Sequence, residues 1–359
     1  QEEEKKFGIN FSGFVKSDFF FDSRQNVAVR EGHFLLFPMP KDLDNDNEDI
    51  NAKSNFNFLS VQSRLSGKIT GPDAFGAKTS GLIEGDFFAQ ANDNINLLRL
   101  RHAFVKLNWE KTQLLFGQYW NPMFVTSCYP GVISFNTGVP FQPFARNPQI
   151  RLTYNTGKVK FIAAALAQRD YASRGDNGAS SEYLRNAAIP DMHAQLHFDI
   201  KNNGTQVVFG GGMAYKQIVP KIVTVFGYKT DEAVAGLSAL GFLKLKTDMV
   251  TAKFEFVHGE NIPDLLAISG FAVKEITDIT KGYQTYTPMV TNSFWTDIHT
   301  NGKKVQAGLF AGYTKNMGTK DDNVDKYYGL GHNIGSQYRI SPRIMVNSNK
   351  VRFAFETEY

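Results

Sequence analysis

The chain predicts an all-β fold, a transmembrane antiparallel up-and-down β-barrel of about sixteen strands, and three observations carry that prediction. Apolar and polar residues alternate in runs of about ten; tight Asn/Gly/Lys turns alternate with long irregular connections; aromatic residues are abundant without any long apolar run. The alternation is clearest over residues 192–200. Ala194, Leu196, Phe198 and Ile200 share one face there, and His193, Gln195, His197 and Asp199 share the other. A period of two means a sheet with one apolar and one polar side. Carried around a closed barrel, it places lipid outside and water inside.

The bulk numbers agree with that class. Of 359 residues, 42% are hydrophobic and 13% aromatic, with 31 Phe and 14 Tyr. Such content fits strands in which only alternate residues meet lipid and aromatic girdles mark both interfaces. No window approaches the ~20 consecutive apolar residues of a membrane helix, and strands need none. The length would accommodate two ordinary domains, but no Pro- or Ser-rich linker divides it. Residues 7–359 therefore read as one barrel domain, preceded by a short periplasmic extension over residues 1–6. Gln1-Glu2-Glu3-Glu4-Lys5-Lys6 resembles a mature terminus from which a targeting segment has been removed. The single Cys128 excludes an internal disulfide framework and a cysteine zinc site. A net charge of +4 is too mild for nucleic-acid binding, and no cofactor motif is present.

The first strand runs from Phe7 to about Asp22, with Ile9, Phe11, Val15 and Phe19 opposite Asn10, Ser12, Lys16 and Asp18. A long polar segment, roughly 23–53, follows. The chain returns over residues 58–69, with Leu59, Val61, Leu65 and Ile69 outward and Ser60, Gln62, Arg64 and Lys68 inward. After Thr70-Gly71-Pro72-Asp73, Ile83, Gly85 and Phe87 point outward and Glu84 and Asp86 inward. Further tight turns fall at 109–112, 155–158, 202–204, 246–248 and 300–303, where Asn-Gly and related pairs supply positive φ. Long connections lie near 119–147, 171–190, 219–234, 260–289 and 316–326. Short turns of such barrels face the periplasm and long loops the outside.

The end of the chain admits two readings. If Ser341-Pro342-Arg343 is a turn, residues 351–359 form a sixteenth strand running down to the periplasm, with an aromatic last residue. If the turn is Asn347-Ser348-Asn349-Lys350, those residues form an upward fifteenth strand, and a final strand lies beyond this sequence.

Five segments, Gly13-Phe14-Val15-Lys16-Ser17-Asp18, Gln62-Ser63-Arg64-Leu65, Ile83-Glu84-Gly85-Asp86-Phe87, residues 98–105 and Phe116-Gly117-Gln118-Tyr119-Trp120, together resemble the DcaP-like trimeric porin family in its Bacteroidetes form. The resemblance covers mainly residues 7–154. It implies a homotrimer of sixteen-stranded barrels in the bacterial outer membrane, surrounded by lipid and lipopolysaccharide, passing small and often anionic solutes.

The chemistry of such a barrel is a water-filled constriction, with charge setting selectivity and a folded-in loop setting size. Inward positions supply Lys16, Arg64, Lys68, Arg99, Arg101, Lys106, Arg151, Lys216, Lys244, Lys246, Lys253 and Arg352 against Asp18, Glu84, Asp86, Asp199, Glu255, Glu356 and Glu358. The modest basic excess points to small anionic, carboxylate-bearing solutes. Most of these positions equally suit an ordinary solvated lumen with paired charges. The sharper expectation is that Arg64, Arg99, Arg101 and Arg151 face Glu84 and Asp86 and hand a carboxylate along, because guanidinium binds carboxylate bidentately. Arg101→Ala should then lower anion selectivity.

Arg99 and Arg101 share parity with Ala103, Val105 and Leu107, whereas His102, Lys106 and Asn108 take the other face. A bulge near Arg101-His102 would bring both arginines and Lys106 inside; otherwise one set faces lipid or a subunit. The segment 119–147, with Phe124, Val125, Val132, Ile133, Phe135, Phe141, Phe144 and four prolines, is too apolar for a free loop. It either folds inward as the constriction, with Arg146 at the eyelet, or packs at a trimer contact.

Asp42, Asp44 and Asp46 have the oxygen density for a loose calcium site but lack the Gly and Glu of an EF-hand loop. His193 and His197 are ~13 Å apart on a strand, too far to share a metal, and no Gly-x-Ser-x-Gly elbow occurs. No catalytic residue is nominated. A structural or surface-interaction barrel suits the long loops but leaves a charged inner face without a purpose; a barrel hydrolase lacks its constellation.

Overall fold

The structure is a computed structural model that describes residues 7–359; the expected periplasmic extension, residues 1–6, lies outside them. Seventeen strands join one sheet, and their registered pairings are antiparallel. Contacts divide the chain into two compact units, residues 1–109 with 117–119 and 134–136, and residues 110–116, 120–133 and 137–359.

The first unit contains β1 (Gly8–Phe14), β2 (Asp18–Asp22), β3 (Asn26–Val29), β4 (Phe34–Pro38), β5 (Asn55–Leu59), β6 (Arg64–Thr70), β7 (Lys78–Asp86) and β8 (Arg99–Asn108). β1 pairs with β6, β6 with β7 and β7 with β8. The single first strand expected over 7–22 is instead two, broken at 15–17, and its second piece pairs with β5. The segment expected to be a long polar loop holds the β3–β4 hairpin, which buries Phe34, Leu36 and Phe37. Its turn places Arg30, Glu31 and Gly32 in the left-handed region. The apolar run 34–37 needs a partner surface, and folding back on Asn26–Val29 supplies one.

β9 (Thr112–Trp120) is divided, with Gly117–Tyr119 falling in the first unit. The second unit then contains β10 (Arg146–Asn155), β11 (Val159–Leu166), β12 (Arg174–Gly175), β13 (Gly178–Ala179), the short helix α1 (Glu182–Asn186), β14 (Asp191–Asn202), β15 (Thr205–Ile218), β16 (Val234–Lys246), β17 (Val250–Glu260), β18 (Ser269–Asp278), β19 (Tyr283–Thr300), β20 (Val305–Thr319), β21 (Tyr327–Leu330), β22 (Ser336–Ser348) and β23 (Val351–Glu356). Antiparallel neighbours run β10–β11–β14–β15–β16–β17–β19–β20–β22–β23. The tight turns fall where the Asn/Gly pairs place them.

Two departures have local causes. The expected connection 260–289 is largely strand, because β18 folds onto the first half of β19 and also pairs with β21. The 18 residues of β19 are far more than the ~9–11 that cross a bilayer, so this hairpin projects past it. At the chain's end, β22 runs unbroken through Ser341-Pro342-Arg343 and the turn lies at Asn349-Lys350, with Asn349 at φ 52°. Of the two readings, the second turn is realised. Pro342 lacks only the donor: its carbonyl accepts from Thr357 N–H at 3.2 Å, and pairing continues through Tyr359.

Candidate functional site

The two faces of the sheet are sorted inside out relative to a soluble protein. On β14, Met192, Leu196 and Ile200 are exposed, whereas His193, Gln195 and His197 are buried. On β19, Phe294 and Ile298 are exposed while Trp295 and Asp297 are fully buried. The polar face is therefore the inner one, as lipid outside requires.

In the first unit the bulge occurs. Glu84 pairs with His102 but Gly85 with Leu100, which leaves Arg101 as the extra residue on β8. Arg99, Arg101 and His102 are all buried, Leu100 and Val105 are exposed, and the parity changes across the bulge. Both arginines then meet carboxylates on β7. Arg99 grips Asp86 through Nε and Nη2 at 3.1 and 2.9 Å. Arg101 reaches Asp86 through Nη1 at 2.8 Å and Glu84 through Nε at 2.9 Å. Arg64 lies 3.6 Å from Glu84, whose other oxygen accepts from Ser66 Oγ at 2.8 Å.

Aromatic rings close this cluster. The Arg99 guanidinium lies 4.8 Å from the Phe88 ring centre, and Phe88 stacks on Phe135 at 4.0 Å. Buried Arg30 donates to the carbonyls of Phe88 and Ala89 at 2.8 and 3.1 Å. His33 lies 3.2 Å from Asp18, which also pairs with Lys16 at 2.8 Å. Sequence reading missed Arg30, His33 and Phe88, because nothing in an irregular segment tells which side chain turns inward. Lys68, exposed at the other end of β6, stays outside the cluster.

In the second unit Arg146 is fully buried, bound to Asp170 through Nε and Nη2 at 2.9 and 2.7 Å and lying over Trp120 at 5.0 Å. Arg151 donates to Gln149 Oε1 at 2.8 Å and to the Trp120 carbonyl.

Those parts of the segment 119–147 that belong to this unit lie against the inner face of its sheet. Met123, Val125, Cys128, Phe141 and Ala145 form one apolar cluster with Leu240, Phe242, Val257, Trp295 and Phe310. Gln195 donates to the Pro122 carbonyl at 2.7 Å, and Phe144 N–H to the Leu265 carbonyl at 3.0 Å. Gly312 makes room for the segment, since a Cβ there would lie 2.5 Å from the Phe141 ring. Two acids hold its backbone: Asp297 accepts from Gly131 N–H at 3.1 Å, and Glu356 from Ile133 N–H at 2.9 Å. Asp297 is itself paired with Arg343 at 2.8 Å. Asp297 could have been found from its alternation with Ser293 and Trp295.

Asp42, Asp44 and Asp46 do not assemble a cation site. Asp44 Oδ1 instead accepts from the N–H groups of Asp46 and Glu48, both at 2.9 Å. Asp49 receives N–H bonds from Asp42 and Asn51, which, with Arg24, hold its carboxyl below the usual range. Among the described residues no group of three or more His, Cys, Asp or Glu could hold a metal ion.

No protein-family model and no characterised relative matches the sequence. By structure the chain is similar to the outer membrane channel DcaP of Acinetobacter baumannii, with TM-score 0.71 and 15% identity over 98% of this chain and 90% of that one. It is also similar to OmpT, an outer membrane protein of Vibrio cholerae. The loop L8 deletion mutant of OmpT gives TM-score 0.53 at 10% identity over 99% and 95% of the two chains. Its in-vitro folded trimer form gives 0.53 at 10% over 99% and 90%. At these identities the likeness defines the fold: a transmembrane antiparallel up-and-down β-barrel.

Proposed function

We propose that the chain is an outer-membrane porin, a passive diffusion channel for small hydrophilic solutes that favours carboxylate-bearing anions. On this reading residues 7–359 act as one barrel domain, with 119–147 as its constriction loop, and three copies associate within lipid and lipopolysaccharide. The observation that supports the proposal is the inward packing of residues 120–133 and 137–147 against the sheet of their own unit. A loop held there by Asp297 and Glu356 narrows a lumen without filling it with a plug domain. The anion preference rests on charge. In the second unit the inward lysines of β16 and β17 outnumber the acids left to pair them. The trimer rests on the resemblance to DcaP-like porins of Bacteroidetes and on the trimer form of OmpT.

Reconstitution into planar bilayers tests both. Conductance steps in groups of three, with reversal potentials shifted toward the anion, are expected in a salt gradient. Absence of conductance, or a cation-selective current, would refute the proposal.

A further inference from the structure

β16 and β17 meet in a register that sets Lys244 directly opposite Lys253. Both lie on the inward face, one alternate position further toward the 247–249 turn than Phe242 and Glu255. Cβ atoms of directly opposed residues are ~4.5–5.5 Å apart, and like charges so placed repel. The Asp297 carboxylate beside Lys253 relieves the pair only in part, because it is shared. Asp297 is opposite Lys253 on β19, but its oxygens accept from Arg343 and Gly131. Glu255 turns away to Trp295 Nε1 at 3.2 Å and is 1% exposed. Lys253 gives one N–H to the Tyr129 carbonyl at 2.9 Å and lies 5.4 Å from that ring's centre, at the edge of the inward-packed loop. Its remaining N–H groups, and half-buried Lys244, which makes no ion pair among the described residues, face the polar side.

We infer that Lys244 and Lys253, roofed by Tyr129, form a carboxylate-binding station just past the constriction loop, on the side of the hairpin turn. Each ammonium takes one oxygen of the same carboxylate. The bound anion removes the repulsion that the empty pair carries, so the cost of opposing two lysines is recovered only with solute present. This inference rests on the diffusion-channel reading and adds to it the place where an anion dwells.

Succinate is the probe. Single-channel currents of the full chain in planar bilayers are recorded against succinate concentration for wild type, Lys244→Gln, the double variant with Lys253→Gln, and the control Lys41→Gln in an exposed loop. Wild-type current should saturate; Lys244→Gln should raise half-saturation about tenfold, a loss typical of one charge-assisted contact, and the double variant should raise it further and lower the anion-to-cation permeability ratio. Lys41→Gln should change neither. Lys244→Gln alone should also make the folded protein more resistant to urea, because it removes a like-charge pair; this readout is independent of conduction. A saturating, anion-selective wild type with unchanged half-saturation in the double variant would overturn the station and leave the channel reading intact. A non-conducting wild type would overturn both.

Discussion

Two clusters, one taken from each unit, handle inward positive charge in opposite ways. In the first, Arg99 and Arg101 are 2% and 3% exposed and are bound to Asp86 and Glu84 on the next strand. Both arginines are neutralised where they stand, and Arg99 lies over Phe88. In the second, Lys244 and Lys253 oppose each other, and the Asp297 carboxylate opposite Lys253 is bound to Arg343. Arginine's planar fork suits a closed bidentate cluster, whereas lysine's compact ammonium on a flexible stem suits exchange with a passing anion. Basic residues on an inner wall therefore serve two purposes, and their partners decide which. This changes the expectation for Arg101: its charge is cancelled locally, so Arg101→Ala should disturb folding more than selectivity.

The contrast can be broken from either side. The largest effect is expected from Asp86→Asn, which leaves Arg99 and Arg101 buried beside a neutral amide. Removing one partner of a buried ion pair costs about 3–5 kcal/mol. Urea-dependent unfolding in detergent micelles should show that loss, with permeability ratios of the remaining folded channels close to wild type. A variant as stable as wild type would show that water screens the cluster.

Phe141→Ala comes next. Truncating a fully buried Phe costs about 3 kcal/mol or more, here concentrated on the contact between loop and wall. Single-channel conductance should rise as the loop loosens; an unchanged conductance would mean that the loop does not set the aperture. Glu356→Gln should be milder, about 1–2 kcal/mol, since an amide oxygen still accepts from Ile133 but without charge. Noise from loop opening in current traces is the measurement, and a silent variant would assign the hold to Asp297.

The smallest effect concerns the outer connections. Asp176 pairs with Lys221 at 2.6 Å and accepts from Tyr328 Oη at 2.7 Å. Burial pushes its carboxyl up, but Lys221 and the Tyr328 hydroxyl more than offset that, so it lies below the usual range. A carboxyl depressed in the folded state contributes stability that is complete above the unfolded value near 4. That contribution is lost as pH falls through the folded value. Hydrogen-exchange protection factors over residues 171–190, corrected for the intrinsic pH dependence of exchange, should therefore fall below about pH 4 in wild type. In Asp176→Asn they should be low and constant with pH, and identical profiles would discount the pair.

Much of this was legible in the order of residues. The period of two, seen in His193-Ala194-Gln195-Leu196, assigned faces correctly wherever a strand was regular, because side chains must alternate along a pleated backbone. Turn residues located the hairpins for a similar reason: positive φ is cheap only for Gly and Asn. The Arg101 bulge was visible as a conflict of parity without a solution, since both phasings satisfied some residues. Register was not visible at all. Nothing along the chain shows that Lys244 meets Lys253, that Arg151 meets Gln149, or that Arg30 turns in against Phe88. Alternation is a property of one strand and is written locally. Partnership depends on how strands and loops slide against each other, and that is decided when the apolar parts of 119–147 and the 34–37 run find the surfaces that bury them. The sequence by itself determined the barrel class, its faces and its turns; the tertiary structure alone decided which charges are cancelled and which remain open.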